Sequence, residues 1–183
     1  MQECVLYQTL EDRGNYQQVV DEGPYICERS DAWLGTGYYF WELYIKFAHA
    51  WGRKAGYEDK YIICQSAYDY DNRNFLDLVG NPIHKDAIWR VYRNLKDKKE
   101  SNNIDQVLTL SSVLIAFRKV LREDFNYKAI RVRSEYKPRE FVIPFNERRP
   151  NNEVYNARPE IQICVLDKSF LTQPFRIVYP EWD

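Results

Sequence analysis

A chain of 183 residues, 45% apolar and 16% aromatic with 15 Tyr and 5 Trp, is long enough to bury its own core and reads as a single domain over residues 1–183. Its net charge of −1 provides no global attraction to nucleic acid or to an anionic membrane. No stretch approaches the roughly 20 apolar residues of a membrane span, and the start, Met1 to Tyr7, lacks the basic and apolar regions of a secretory leader, so neither a membrane partner nor export is expected.

In chain order, residues 5–7 predict a short first strand, and Tyr16–Glu22 a short helix stopped by Gly23 and Pro24. Next comes Trp33-Leu34-Gly35-Thr36-Gly37-Tyr38-Tyr39-Phe40-Trp41. Gly35 and Gly37 permit positive φ or close approach of a bound group. The aromatic residues after them alternate sides of an extended segment, so that alternate rings face a pocket and the core. A flat ligand needs that combination; the other reading is a glycine turn before a buried aromatic strand. Residues 42–55 carry Leu43, Tyr44, Phe47, Ala50 and Trp51 at helical spacing, ended by Gly56.

Residues 61–64 read as a buried strand, and Pro82 opens a helix with Ile88, Val91, Tyr92 and Leu95 on one face. Residues 96–103 form a polar connection. Residues 104–122 give the clearest helix, with Asn103 as its cap and Val107, Leu108, Leu114, Ile115 and Leu121 as its stripe. Strands are expected at 129–133, 140–145, 160–166 and 175–179, with a polar loop at 146–159 around Pro150, Asn151 and Asn152. No internal repeat or linker divides the chain, and the expected class is α+β.

Familiar chemistry is mostly missing from the sequence. His49 and His84 stand at no metal-ligand spacing, and surface or capping roles are expected for both; no metal is expected. There is no GxSxG, GxxxxGK[ST] or GxGxxG. Asp69-Tyr70-Asp71-Asn72 lacks the glycine and distal glutamate of a calcium loop and reads as a solvated turn. Residues 118–139 hold eight Lys or Arg with Phe125, Tyr127 and Tyr136 interleaved, read as a solvated face with phosphate contact as the alternative. Cys4, Cys27, Cys64 and Cys164 form no CxxC pair. Cys64 and Cys164 lie in strand-like apolar runs, which fits a reduced, cytoplasmic protein.

The order of the first elements carries more information. Leu6-Tyr7-Gln8-Thr9, a short helix, Gly23, then Gly35-Thr36-Gly37-Tyr38-Tyr39-Phe40 and a helix with Ala48, Ala50 and Trp51 resemble the N-terminal half of the ADP-ribosyltransferase fold. The likeness is to its diphtheria-toxin-like and poly-ADP-ribose-polymerase-like branch, with small bacterial toxin-type relatives. There the pattern runs Leu-Tyr-His-Gly-Thr, helix, Gly-Phe, Gly-x-Gly-x-Tyr-Phe, and a helix rich in alanine and aromatics. The resemblance covers residues 5–55, is weaker over 62–78, where Phe75-Leu76-Asp77-Leu78 looks like the following strand and turn, and returns at 160–165.

The resemblance implies an ADP-ribosyltransferase-like split β-sheet with flanking helices, with NAD as substrate. Tyr39 takes the place of the tyrosine that stacks on nicotinamide, with Tyr38 beside it and Gly35 and Gly37 shaping the turn beneath the dinucleotide. Gln8 stands where the family has its histidine, and Thr9 where it has a small glycine. Gln162 falls in the slot of the catalytic glutamate, with Glu160 two residues earlier on the same face of the strand. The implied activity is NAD-dependent mono-ADP-ribosyl transfer, of toxin or effector type, to a macromolecular acceptor, a protein ahead of a nucleic acid. Three readings stay open: this enzyme, a degenerate fold serving as a nucleotide-binding or protein-interaction module, and nucleic-acid binding through residues 118–139.

Overall fold

Alternation along the strands assigns the two faces of one large sheet. The computed structural model describes residues 3–57, 60–71, 73–103, 105, 107–134, 142–145 and 154–180. In order they form β1 (Glu3–Glu11), α1 (Tyr16–Glu22), β2 (Tyr38–Glu42), α2 (Ile45–Lys54), β3 (Tyr61–Asp69), β4 (Phe75–Asp77), α3 (Pro82–Ser101), α4 (Leu110–Leu121), β5 (Ala129–Arg133), β6 (Val142–Pro144), β7 (Val154–Asn156), β8 (Ile161–Val165) and β9 (Arg176–Tyr179). Seven strands make the sheet in the order β4-β5-β8-β2-β1-β3-β9, antiparallel except for β4–β5, and β6 pairs with β7 in a separate hairpin. The class is α+β.

One face of the sheet carries Leu6, Phe40, Ile62, Cys64, Ile163 and Val165, packed with Phe170 and Phe175 from the C-terminal segment. The other face holds two clusters. Leu76, Ile130 and Cys164 pack with Ile88 of α3 and Val113, Leu114 and Phe117 of α4, while Trp41, Tyr61 and Ile63 pack under Phe47 and Ala48 of α2. In β8 the switch is residue by residue, with Ile163 and Val165 to one side and Cys164 to the other.

Several boundaries differ from expectation for physical reasons. β1 and β3 run well beyond 5–7 and 61–64 because the polar residues that interrupt their apolar pattern find partners inside. Thr9 Oγ1 donates to Ala48 O at 2.8 Å, and Ser66 Oγ to Gln173 O at 2.7 Å. Glu42 belongs to β2, so α2 starts only at Ile45, and Leu43 between them sits at φ 65. α3 continues through residues 96–101 instead of giving way to a connection; straight-chain residues favour the helix, and Lys96 pairs with Glu100 one turn on.

α4 begins at Leu110, not at 104. Thr109 caps it, accepting from Ser112 N while Ser112 Oγ accepts from Thr109 N. Asn103, expected as that cap, instead follows α3 at φ 52. The expected loop 146–159 contains β7. Residues 146–153, and Glu140 and Phe141 of the expected strand 140–145, lie outside the described residues, as do Ile104 and Asn72. The turn after β3 is as expected up to Asp71, whose N–H donates to Asp69 Oδ1.

The basic run 118–139 is not one solvated face. Arg131 is buried, its Nε 2.8 Å from Glu42 Oε2 and its Nη1 3.2 Å from Asp77 Oδ1, while Tyr68 Oη donates to Glu42 Oε1 at 2.6 Å. Residues 135–139, Tyr136 among them, lie outside the described residues. Burial works against the Arg131 charge, but Glu42 and Asp77 outweigh it and hold the guanidinium firmly protonated. Cys64 and Cys164 are buried free thiols, as expected.

Candidate functional site

The ladder between β1 and β2 contains two residue pairs, Leu6–Glu42 and Tyr7–Trp41, although β1 runs on to Glu11. Along the same stretch β1 stays paired with β3 as far as Glu11–Tyr61, and β2 stays paired with β8. The sheet therefore opens between its halves. A cavity of about 690 Å³ lies at this opening, within the size range of small-molecule sites.

Gln8 spans the opening. Its Nε2 donates to Tyr25 O at 2.9 Å and to Tyr39 O at 3.3 Å, and its Oε1 accepts from Tyr25 N at 3.0 Å. An amide offers two N–H groups and one carbonyl oxygen, so both ends of this buried side chain are engaged with the cavity wall. Thr9, the next residue, ties β1 to α2 through Ala48 O.

Tyr39 is fixed by the turn before it. Its hydroxyl accepts from Leu34 N at 2.8 Å and donates to Gly35 O at 2.7 Å. Burial, with Cys164 adding to it, pushes this phenol far above its ordinary range, so it remains a donor at any physiological pH. Gly35 is needed at φ 82. Gly37 is needed for space, because a Cβ there would collide with Cys164 Sγ on β8. Together they deliver the tyrosine to its two backbone partners.

Of the residues singled out from the sequence, Gln8, Thr9, Tyr39, Glu160 and Gln162 line the cavity. Gly35, Gly37 and Tyr38 are not among its lining residues. Tyr38 packs on the opposite side of β2, with Lys168 Nζ 5.2 Å from its ring. Gln162 sits on β8 opposite Trp41 of β2 and Val132 of β5. Glu160 lies just before β8, half-buried, its carbonyl accepting from Ser134 N at 2.9 Å.

Sequence reasoning missed the segment from Tyr25 to Ala32, which supplies one wall. Arg29 there makes a two-pronged pair with Asp31, both bonds 2.9 Å, and its guanidinium lies 5.8 Å from the Trp51 ring on α2. That hydrogen-bonded pair, with Asp31 as partner, raises the Arg29 pKa and lowers that of Asp31. The signal in the sequence is Arg29-x-Asp31-x-Trp33, a cation, an anion and a ring at alternate positions in a stretch with no helical or strand period. Trp51, expected as one of the residues at helical spacing and in the helix of the resemblance, also lines the cavity, with Trp33 half exposed at the rim.

The histidines lie elsewhere. His49 is not an ordinary surface residue. Its Nδ1 is 3.0 Å from Tyr61 Oη and its ring 4.7 Å from that of Tyr179, and burial lowers its pKa. His84 Nδ1 accepts from Asp77 N at 3.0 Å near the start of α3. Among the described residues no cluster of His, Cys, Asp or Glu is arranged to hold a metal, and no helix is long and apolar enough to cross a membrane.

Chemically, the described lining offers flat indole surfaces, two cations in Arg29 and Lys54, the carboxylates of Glu28 and Asp31, the second of them paired with Arg29, and a third carboxylate beside an amide at Glu160 and Gln162. Such a set suits a ligand with an aromatic ring, anionic groups and a polar sugar. No family model, curated protein or solved structure matches this chain.

Proposed function

We propose that the cavity binds NAD and that the protein is a mono-ADP-ribosyltransferase of toxin or effector type, built on an ADP-ribosyltransferase-like split sheet. The observation that carries this reading is convergence. Gln8, Thr9, Tyr39, Glu160 and Gln162, drawn from both ends of the chain by resemblance alone, line one cavity where β1 and β2 part.

The chemistry follows from the charges. Breaking the nicotinamide–ribose bond builds positive charge on the sugar, as in the oxocarbenium-like state of glycoside hydrolysis. Nicotinamide leaves with the bonding electron pair, and a nucleophile of the acceptor macromolecule forms the new bond to the same ribose carbon. Glu160 supplies the negative charge that stabilises the sugar, and the neutral Gln162 amide orients its hydroxyls. Lys54 meets the phosphates, joined by Arg29 once they displace its exposed partner Asp31, and the ring of Tyr39 borders the nicotinamide.

Turnover of labelled NAD tests this assignment. Glu160→Gln is expected to bind NAD as the native protein does and to release nicotinamide on the order of 10²–10³ times more slowly, the loss typical of one preorganised electrostatic contact. Full activity in that variant would remove Glu160 from the chemistry. A second reading, a nucleotide-binding module without turnover, is favoured by one observation: the Gln8 amide is spent on the backbone of Tyr25 and Tyr39. Saturable NAD binding with no nicotinamide release from the native protein would select it.

A further inference from the structure

α3 carries a surface that the proposed reaction does not use; none of the cavity's lining residues lies on this helix. It bears six Lys or Arg against three Asp or Glu, a surplus of three positive charges in a chain whose net charge is −1. On the same helix Trp89 is 55% exposed, an unusual position for the largest apolar ring. It stacks on Tyr92, with ring centroids 5.2 Å apart and planes 21° from parallel.

Trp89, Tyr92, Arg93, Lys96 and Lys99 recur at intervals of three and four and so share one helical face. At the far end of this face Tyr92, Lys96 and Lys99 line a cleft of about 370 Å³ closed by Asn103 and Leu108. Among the described residues its one lining acid, Glu100, sits 3.7 Å from Lys96 in a solvent-exposed pair, which a phosphate can replace at little cost.

We propose that this face of α3 docks a single-stranded nucleic acid. One side of the Trp89 ring is covered by Tyr92; a base stacks on the other and continues the pile. The lysines that follow at one-turn intervals meet the phosphates of the strand as it runs into the cleft. The rings favour a single strand over a duplex, whose bases are already stacked on one another and unavailable. They favour a polynucleotide over an acidic peptide, which carries the charge without the flat faces. DNA and RNA share this chemistry, and the test separates them. The inference stands whether or not the cavity takes NAD.

Fluorescence anisotropy of short labelled single strands, one of DNA and one of RNA, titrated with the whole protein, provides the test. Saturable binding that weakens with salt is expected for at least one of the two. Trp89→Ala weakens it about tenfold or more, while Trp89→Phe, which keeps a stacking ring, retains most of it. Lys96→Gln with Lys99→Gln flattens the slope of log affinity against log salt by about 1.4, at 0.7 per phosphate contact on a single strand. All three positions are exposed or half-exposed, and circular dichroism checks that each variant is folded. Absence of binding at low salt overturns the proposal. So does binding unchanged by Trp89→Ala, equal binding to a duplex, or equal binding to polyglutamate.

Discussion

Gln8 shows how a single side chain can do the work of missing ladder bonds. Where β1 and β2 part, its amide joins β1 to Tyr25 and to Tyr39. Gln8→Ala strands buried backbone groups on both partners, and a loss of about 1–3 kcal/mol is expected in urea unfolding. A loss below a few tenths would mean that water or the loop itself takes over. The importance of position 8 was legible from the order of motifs around it. Its partners were not, because they lie 17 and 31 residues away and are main-chain atoms. Tyr39 repeats the lesson: the glycines before it predicted a special turn, and the turn's use, gripping the hydroxyl at Leu34 N and Gly35 O, needed coordinates.

Among elements, a buried charge cluster adds to the ladders that join β4, β5, β8 and β2. Glu42, Asp77 and Arg131 meet inside the protein. Removing one partner from such a buried network leaves an uncompensated charge, so Arg131→Met is expected to destabilise by about 3–5 kcal/mol. Thermal or urea unfolding measures it, and a change under 1 kcal/mol would contradict the picture of a dry, mutually dependent triad. Sequence pattern assigned Glu42 to a helix and Arg131 to a strand within a solvated basic run, because ion partners so far apart in sequence leave no periodic trace. Element existence was otherwise well predicted where the apolar run was strong, as in β5 and β8, or where a glycine-proline stop marked the end, as in α1. Boundaries shifted where polar residues are satisfied internally, as at Thr9 and Ser66, or where capping decided the start, as at Thr109.

For the molecule as a whole, the buried thiols of Cys64 and Cys164 and the half-buried thiol of Cys4 contribute to an alkaline limit, together with the phenols of Tyr39 and Tyr68 that burial also raises. Burial pushes Cys4, Cys64 and Cys164 from an ordinary 9.0 up to about 12, with Glu42 adding to the effect at Cys4. The folded state therefore keeps protons that the unfolded chain has released. Stability from these groups is fully present below about pH 9 and is lost as pH rises toward about 12. Each thiol costs at most about 1.4 kcal/mol per pH unit in that window. The urea midpoint should hold between neutrality and pH 9 and fall above it; a midpoint unchanged through that upper window would mean that Cys64 and Cys164 are not buried as described.

The split between β1 and β2, the cavity it opens and the five side chains gathered there support the proposal that NAD binds at that opening. Calorimetric titration of the whole protein with NAD tests it most directly, repeated on Trp51→Ala, which removes a cavity wall, and on Tyr39→Phe, which keeps the ring and releases the turn. Saturable binding, weakened in both variants and retained in Glu160→Gln, is the predicted result. No heat at millimolar NAD from the folded native protein, or binding that neither substitution alters, would contradict it.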